Sequence, residues 1–254
     1  LGRVIAVTGK GGTGKTAVTA MILRDLINDS SKKKLRILAI DADPDANLAD
    51  ALGVKVSKTI GDMREFMQQS RYTTPPDTDK QVLFESKLFE ILVEENGYDL
   101  LVMGKPEGSG CYCFVNNLLR GIMDKTISDY DLTVIDTPAG LEHFSRKTIP
   151  DLDALIVVTD ESRRGLTTAE RIRDMSKGLD MKYKELYVVV NKVTPERKEK
   201  VLETAKDLGL KVIGTVPYDQ NLAKFDLVGD PLMNLPGDSP AVAETRQIVS
   251  KLGL

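Results

Sequence analysis

Three groups of residues in this chain have the types and spacing for chemistry: the run Gly9-Lys10-Gly11-Gly12-Thr13-Gly14-Lys15-Thr16, the aspartates Asp41, Asp43 and Asp136, and the pair Cys111 and Cys113. The first is the most specific. Gly9, Gly14, Lys15 and Thr16 fill the pattern of a phosphate-binding loop, with an apolar strand from Val4 before it and a helical stretch through Ile22, Leu23, Leu26 and Ile27 after it. Gly11, Gly12 and Gly14 carry no Cβ, so the backbone can curl and aim its N–H groups at phosphate oxygens. The helix N-terminus adds positive dipole. Lys15 is placed to reach the β- and γ-phosphates, and the Thr16 hydroxyl to ligate magnesium.

The carboxylates sit where such a site needs them. Asp41-Ala42-Asp43-Pro44-Asp45 ends the apolar run Leu35 to Ile40, and Asp136-Thr137-Pro138-Ala139-Gly140 ends the run Leu132 to Ile135. The carboxyl ends of parallel strands face the ligand crevice of α/β sheets. Asp136 therefore suits a carboxylate that holds magnesium through water. Loop capping is the alternative for Asp41 and Asp45.

Cys111 and Cys113 follow Gly104-Lys105-Pro106-Glu107-Gly108-Ser109-Gly110, a stretch that excludes an ordinary helix before them. Side chains at i and i+2 share a side on extended backbone and diverge on a helix. An extended C-x-C pair thus presents two thiols together, and a helix starting at Phe114 lowers their pKa. Two thiolates do not complete a four-coordinate soft-metal site. Two copies about a two-fold axis supply four sulfurs. A structural thiol pair and a vicinal redox pair are the alternatives. His143, the chain's single histidine, reads as a capping or surface residue more readily than as a ligand.

The remaining chain supplies the elements that position these groups. Further strands are expected at Tyr98 to Met103, Ala154 to Val158, Glu185 to Asn191 and Val212 to Val216. Helices are expected at Ile60 to Met67, Gln81 to Glu95, Phe114 to Ile127, Thr167 to Met175 and Pro240 to Leu252. Gln68 to Asp79, with two prolines, reads as a loop. The alternation runs to the end without a linker. The expectation is one α/β P-loop domain, residues 1–254, with a mostly parallel sheet of seven or eight strands and helices on both faces. Asn191-Lys192-Val193-Thr194 lacks the aspartate of a guanine-reading N-K-x-D, because Thr194 stands in its place, so adenine is expected. A net charge of -3 gives no general attraction to nucleic acid or anionic lipid. The final helix has too few basic residues and no aromatic anchor for a membrane surface, so it is expected to pack on the sheet. No secretory signal precedes the first strand, and the expected compartment is the cytoplasm.

Lys10 adds a second lysine at the start of the phosphate loop. K-G-G-T-G-K-T resembles the deviant Walker A loop of the NTPase class that includes septum-positioning and partition ATPases and nitrogenase iron protein. Within that class the chain is similar to the CooC/AcsF-type ATPases, which mature nickel-containing carbon monoxide dehydrogenase and acetyl-CoA synthase. The residues that carry this are G-S-G-C-Y-C-F-V-N-N at 108–117, D-A-D-P-D at 41–45 and G-L-E-H-F-S-R at 140–146.

The resemblance implies an ATPase that uses ATP and magnesium, with ADP as product. The nucleotide is held by Gly11 to Ala17, including Thr13. Asn191 and Lys192 lie at the adenine edge, and the backbone of Pro217, Tyr218 and Asp219 flanks it. Lys10 reaches the partner's nucleotide across a homodimer. Asp43 positions water and stands beside magnesium with Thr16 and Asp136. Cys111 and Cys113 bind nickel, or zinc in its place, jointly with the same pair from the second subunit. The implied client is a nickel enzyme, and neither nucleic acid nor membrane is an expected partner. The rivals are a spatial-positioning ATPase, which would want a basic DNA face or membrane helix, and an iron–sulfur reductase or scaffold, whose cysteines are widely separated.

Overall fold

The computed structural model describes residues 2–29, 35–63, 66, 80–105, 112–140, 150–179 and 181–254, with backbone alone for 80–85 and 112–115. Among the described residues the strands are β1 (Arg3–Gly9), β2 (Ile37–Asp41), β3 (Val93–Glu95), β4 (Tyr98–Val102), β5 (Leu132–Asp136), β6 (Leu152–Asp160), β7 (Tyr183–Val193) and β8 (Val212–Pro217). They form one eight-stranded sheet in the order β3-β4-β2-β5-β1-β6-β7-β8. Every pairing is parallel except β3 with β4.

The central strands are continuous apolar runs because helices cover both faces. β2 and β5 are buried at every position, the pattern expected of interior parallel strands. Alternate side chains divide between the two layers. Ile5 and Val7 join a core with α1 (Lys15–Asn28), α2 (Asn47–Leu52) and α8 (Pro240–Lys251). Val4 and Ala6 join the opposite core with α3 (Lys80–Ile91), α4 (Tyr112–Thr126), α5 (Arg163–Gly178) and α6 (Lys198–Asp207). α8 packs on the sheet as expected, with Ala241, Val242, Ile248 and Val249 at 2% exposure or less. A Cβ on Gly214 of β8 would meet Ile248 Cγ1 at 2.4 Å, so only glycine allows that helix to lie so close. No helix among the described residues is long and apolar enough to cross a membrane.

Three expectations need correction. The helix expected over Gln81 to Glu95 stops at Ile91. Val93–Glu95 instead pairs antiparallel with Tyr98–Val102. Asn96-Gly97 is the reason, since it is a two-residue hairpin turn with Gly97 at φ 98°. The resulting edge strand is short and acidic, which blunts it against further pairing. The helix expected from Phe114 begins at Tyr112, so Cys113 lies in its first turn, not on extended backbone. Nothing between Gly110 and Phe114 stops a helix from propagating backward. The third correction adds α2, α6 and α7 (Gln220–Val228), which the apolar periodicity does not announce. α6 buries only Val201 and Ala205, too thin an apolar stripe to be read from sequence.

Candidate nucleotide site

β1 delivers the chain to the phosphate loop at the centre of the sheet, between β5 and β6. Gly9 closes the strand, and a Cβ there would lie 2.1 Å from the Val158 carbonyl oxygen of β6. Gly14 caps α1 in the left-handed region at φ 85°. It makes no side-chain cap, and the first turn of α1 holds no acidic residue. The orphan N–H groups of that turn are therefore left to an anionic ligand. Lys15 opens the helix at 8% exposure. Lys10 is exposed, at the outer start of the loop. Its carbonyl accepts the Thr13 hydroxyl at 2.8 Å, which closes the loop on itself.

Two carboxylates face one another beside Lys15. Asp41 and Asp136 are paired in register at the ends of β2 and β5 and are essentially buried. Thr16 donates to Asp136 Oδ2 at 2.7 Å and Thr19 to Asp136 Oδ1 at 3.3 Å. Burial pushes the Asp136 carboxyl up to about 6, against the opposing pull of Thr16, Lys15 and Thr19. Burial, reinforced by the charge of Asp136, pushes Asp41 up to about 7. Thr19 belongs to no motif in the sequence. Its only signal is its place one helical turn after Thr16.

Asp41 is the cap of its loop. It accepts from the Asp43 N–H at 3.1 Å and from the Leu48 N–H of α2 at 2.8 Å. Asp43 is half-buried on the loop so fixed, and its Oδ1 accepts from the Asp45 N–H at 3.0 Å. The second loop is stitched to β1: Thr137 N–H donates to Val7 O and Gly140 N–H to Gly9 O, each at 3.1 Å. The structure thus gathers Lys15, Thr16, Asp41, Asp43 and Asp136 at one end of the sheet. Ala17 is half-buried in the first turn of α1.

Asn191, at the end of β7, is 1% exposed. Its Nδ2 donates to the Thr13 carbonyl at 2.9 Å, and its Oδ1 accepts from the Lys192 N–H at 2.9 Å. Pro217 ends β8, Tyr218 follows it at 57% exposure, and the Tyr218 N–H is held by Val193 O at 3.1 Å. Asp219 joins two helices. Its Oδ1 accepts from Asn221 and Leu222 N–H at 2.8 and 3.4 Å. Its Oδ2 accepts from Ala241 N–H at 3.0 Å and from the Ser239 hydroxyl. Burial pushes this carboxyl up, but these four donors outweigh it and hold it below the usual range. The Asp219 side chain is therefore committed to capping α7 and α8, and its carbonyl accepts from the Ala223 N–H at 3.0 Å. Asp219→Ala is expected to cost about 3 kcal/mol, the caps of two helices plus the buried Ser239 hydroxyl left without its acceptor. A lowered urea midpoint at unchanged slope would register it.

Residues 4–232 match the CobQ/CobB/MinD/ParA nucleotide binding domain. The chain belongs to this family. An uncharacterised ATP-binding protein of Methanocaldococcus jannaschii is 51% identical over 251 residues, covering 98% of each chain. The carbon monoxide dehydrogenase accessory protein CooC of Rhodospirillum rubrum is 35% identical over 245 residues, covering 89% of this chain and 87% of that protein. The MinD cell division protein of Aquifex aeolicus superposes with a TM-score of 0.71 at 24% identity, over 99% of this chain and 96% of that one. A ParA family ATPase from Chlorobium tepidum superposes with a TM-score of 0.73 at 19% identity, over the whole of both chains. These structures share the MinD/ParA fold with the present chain, and its activity is that of a nucleotide-binding ATPase.

The MinD/ParA assignment covers the nucleotide site and leaves the thiols open. Cys111 and His143 lie outside the described residues, as does the Cys113 side chain. Lys105 precedes the cysteine segment, and its Nζ lies 2.7 Å from Asp45 Oδ1 on the Asp41 loop.

Proposed function

We propose that this ATPase is a nickel metallochaperone for carbon monoxide dehydrogenase or acetyl-CoA synthase, acting in the cytoplasm as a homodimer. The observation that carries the reading is the tie between the nucleotide loop and the exit of β4. Met103 N–H donates to Asp41 O at 2.8 Å, and Lys105 pairs with Asp45. A shift of the Asp41–Asp45 loop on hydrolysis is thereby passed to the strand that leads into Cys111. The likeness to CooC supports the choice of client.

Residues 11–17 cradle the phosphates, with Lys15 on the transferred group. The backbone of Pro217 to Asp219, with Asn191 and Lys192, encloses the adenine side. Thr16, Asp136 and Asp43 suit magnesium: the buried Asp136 carboxylate accepts from the Thr16 hydroxyl at 2.7 Å, which sets two oxygen donors together beside the phosphate loop. No cluster of three or more His, Cys, Asp or Glu side chains among the described residues could hold a metal. Magnesium keeps several waters and takes one or two protein ligands beside the phosphates. When bound, it neutralises charge on the β- and γ-phosphates. Asp43 orients the attacking water as the bond from the γ-phosphorus to the ADP oxygen breaks. Lys10 senses the partner's nucleotide, so ATP favours the closed dimer.

Nickel is cargo. Cys111 and Cys113 from each of two chains make a four-sulfur site that takes nickel or zinc, and opening of the dimer releases the ion to the client. Cys111→Ser is expected to abolish nickel binding and metal-linked dimerisation while ATP binding stays within about twofold. Anaerobic equilibrium dialysis with size determination, in apo, ADP and ATP samples, makes the measurement. Unchanged nickel binding in that variant would sink the reading.

A further inference from the structure

Asn191 and Lys192 make contacts that no base-reading role requires. The Asn191 amide reaches from the end of β7 to the backbone of the phosphate loop, a separation of 178 residues, and donates to the Thr13 carbonyl. Lys192 has φ 58°, one of two left-handed non-glycine residues among the described residues. Its N–H is held by Asn191 Oδ1 at 2.9 Å, and its Nζ lies 3.4 Å from the Gly12 carbonyl. A residue with a Cβ enters the left-handed region at a cost, and does so where its surroundings impose it. Here the Asn191 carboxamide imposes it.

We infer that Asn191 is a positioning residue for the phosphate loop, and that with Lys192 it sets the shape of the cradle independently of the base. The geometry gives the reason. In a trans peptide the C=O and the following N–H point in opposite directions. Holding the Thr13 carbonyl toward β7 turns the Gly14 N–H the other way, into the loop. The Lys192 ammonium draws the Gly12 carbonyl toward the same side. Gly14 completes the arrangement, since a Cβ there would lie 2.4 Å from Asn191 Nδ2. The amide that shapes the loop is thus also the group that requires glycine at this position. The inference rests on the ATP site alone and is independent of the nickel reading.

The test separates the phosphates from the base. Inorganic tripolyphosphate, ATP and GTP are titrated into wild type and Asn191→Ala by calorimetry, well below the melting temperature of each. If Asn191 shapes the cradle, tripolyphosphate and ATP both weaken about tenfold and the ratio of ATP to GTP affinity is unchanged. A loss confined to general stability would lower the melting temperature and leave tripolyphosphate binding to the folded protein intact, and that result overturns the inference. So does an ATP-specific loss with tripolyphosphate unchanged, which would make Asn191 a base reader. Asn191→Asp is the second variant if alanine fails to fold. It keeps the acceptor for Lys192 N–H but cannot donate to Thr13, and the same parallel losses are expected. Absence of ATP binding in wild type would instead strike the nucleotide site itself.

Discussion

Replacing Lys15 with alanine is expected to lower ATP turnover by about two to three orders of magnitude, the size of effect seen when one preorganised charge-stabilising donor is removed. The site shows why. Lys15 is 8% exposed, it opens a helix with no acid in its first turn, and its charge offsets the burial of Asp136. Phosphoryl transfer asks little covalent chemistry of the protein and much positioned positive charge. Alanine removes that charge and leaves Asp136 more costly to ionise, so the carboxylate is weakened together with the lysine. Arginine keeps the charge but cannot fit its planar fork into the space of a buried ammonium, so Lys15→Arg is expected to be nearly as slow. Phosphate release at saturating ATP and magnesium measures both variants. A fall of less than tenfold for alanine would remove Lys15 from the chemistry.

The phosphate side of the site was legible in the sequence because its determinants are local. Glycines at fixed offsets, a lysine opening a helix and carboxylates closing apolar strands each carry their meaning within a few residues. The sheet was legible for the same reason, since Ile37–Asp41 and Leu132–Asp136 are apolar runs with no competing period. What escaped depends on partners far along the chain. Nothing near Asn191 indicates that its amide meets Thr13. Nothing near Asp219 announces Ser239 and Ala241, which convert a turn residue into a joint between two helices. α2 is six residues long, and its first turn is held by the Asp41 carboxylate from the preceding strand, not by its own sequence. The β3 hairpin is different. Asn96-Gly97 is a local turn signal, but the apolar residues before it, Leu88, Ile91 and Leu92, keep helical spacing up to the start of the strand.

The two buried carboxylates predict an unusual dependence of stability on pH. Both fold with raised pKa, Asp136 at about 6 and Asp41 at about 7, against about 4 in an unfolded chain. Below pH 4 the groups are protonated in both states, and the stability that comes from holding them neutral is fully present. As pH rises from 4, the unfolded chain releases these protons first, so that stability is lost progressively through 6 and 7. A carboxyl whose pKa is tenfold weaker in the folded protein loses about 1.4 kcal/mol in this way, so the Asp136 share is on the order of 3 kcal/mol by pH 8. Asp136→Asn stays neutral at every pH; its carboxamide oxygen can accept from Thr16, and its NH2 can donate to the Thr19 hydroxyl, which itself donates to the Lys15 carbonyl. In a chelating buffer at pH 8 this variant is expected to melt at least about 5 °C above wild type. The gap should narrow toward pH 5, because there Asp136 is itself protonated. Magnesium with ADP should raise the wild-type melting temperature at pH 8 far more than that of the variant, since only an ionised Asp136 gains from the cation. ATP turnover in the variant should fall by about a hundredfold or more. Parallel melting curves for the two proteins from pH 5 to 8 would show that burial of Asp136 costs the apoprotein nothing. The opposite result would mean that the site is held in a destabilised form by the fold around it, as functional sites often are, and that the bound nucleotide complex relieves it.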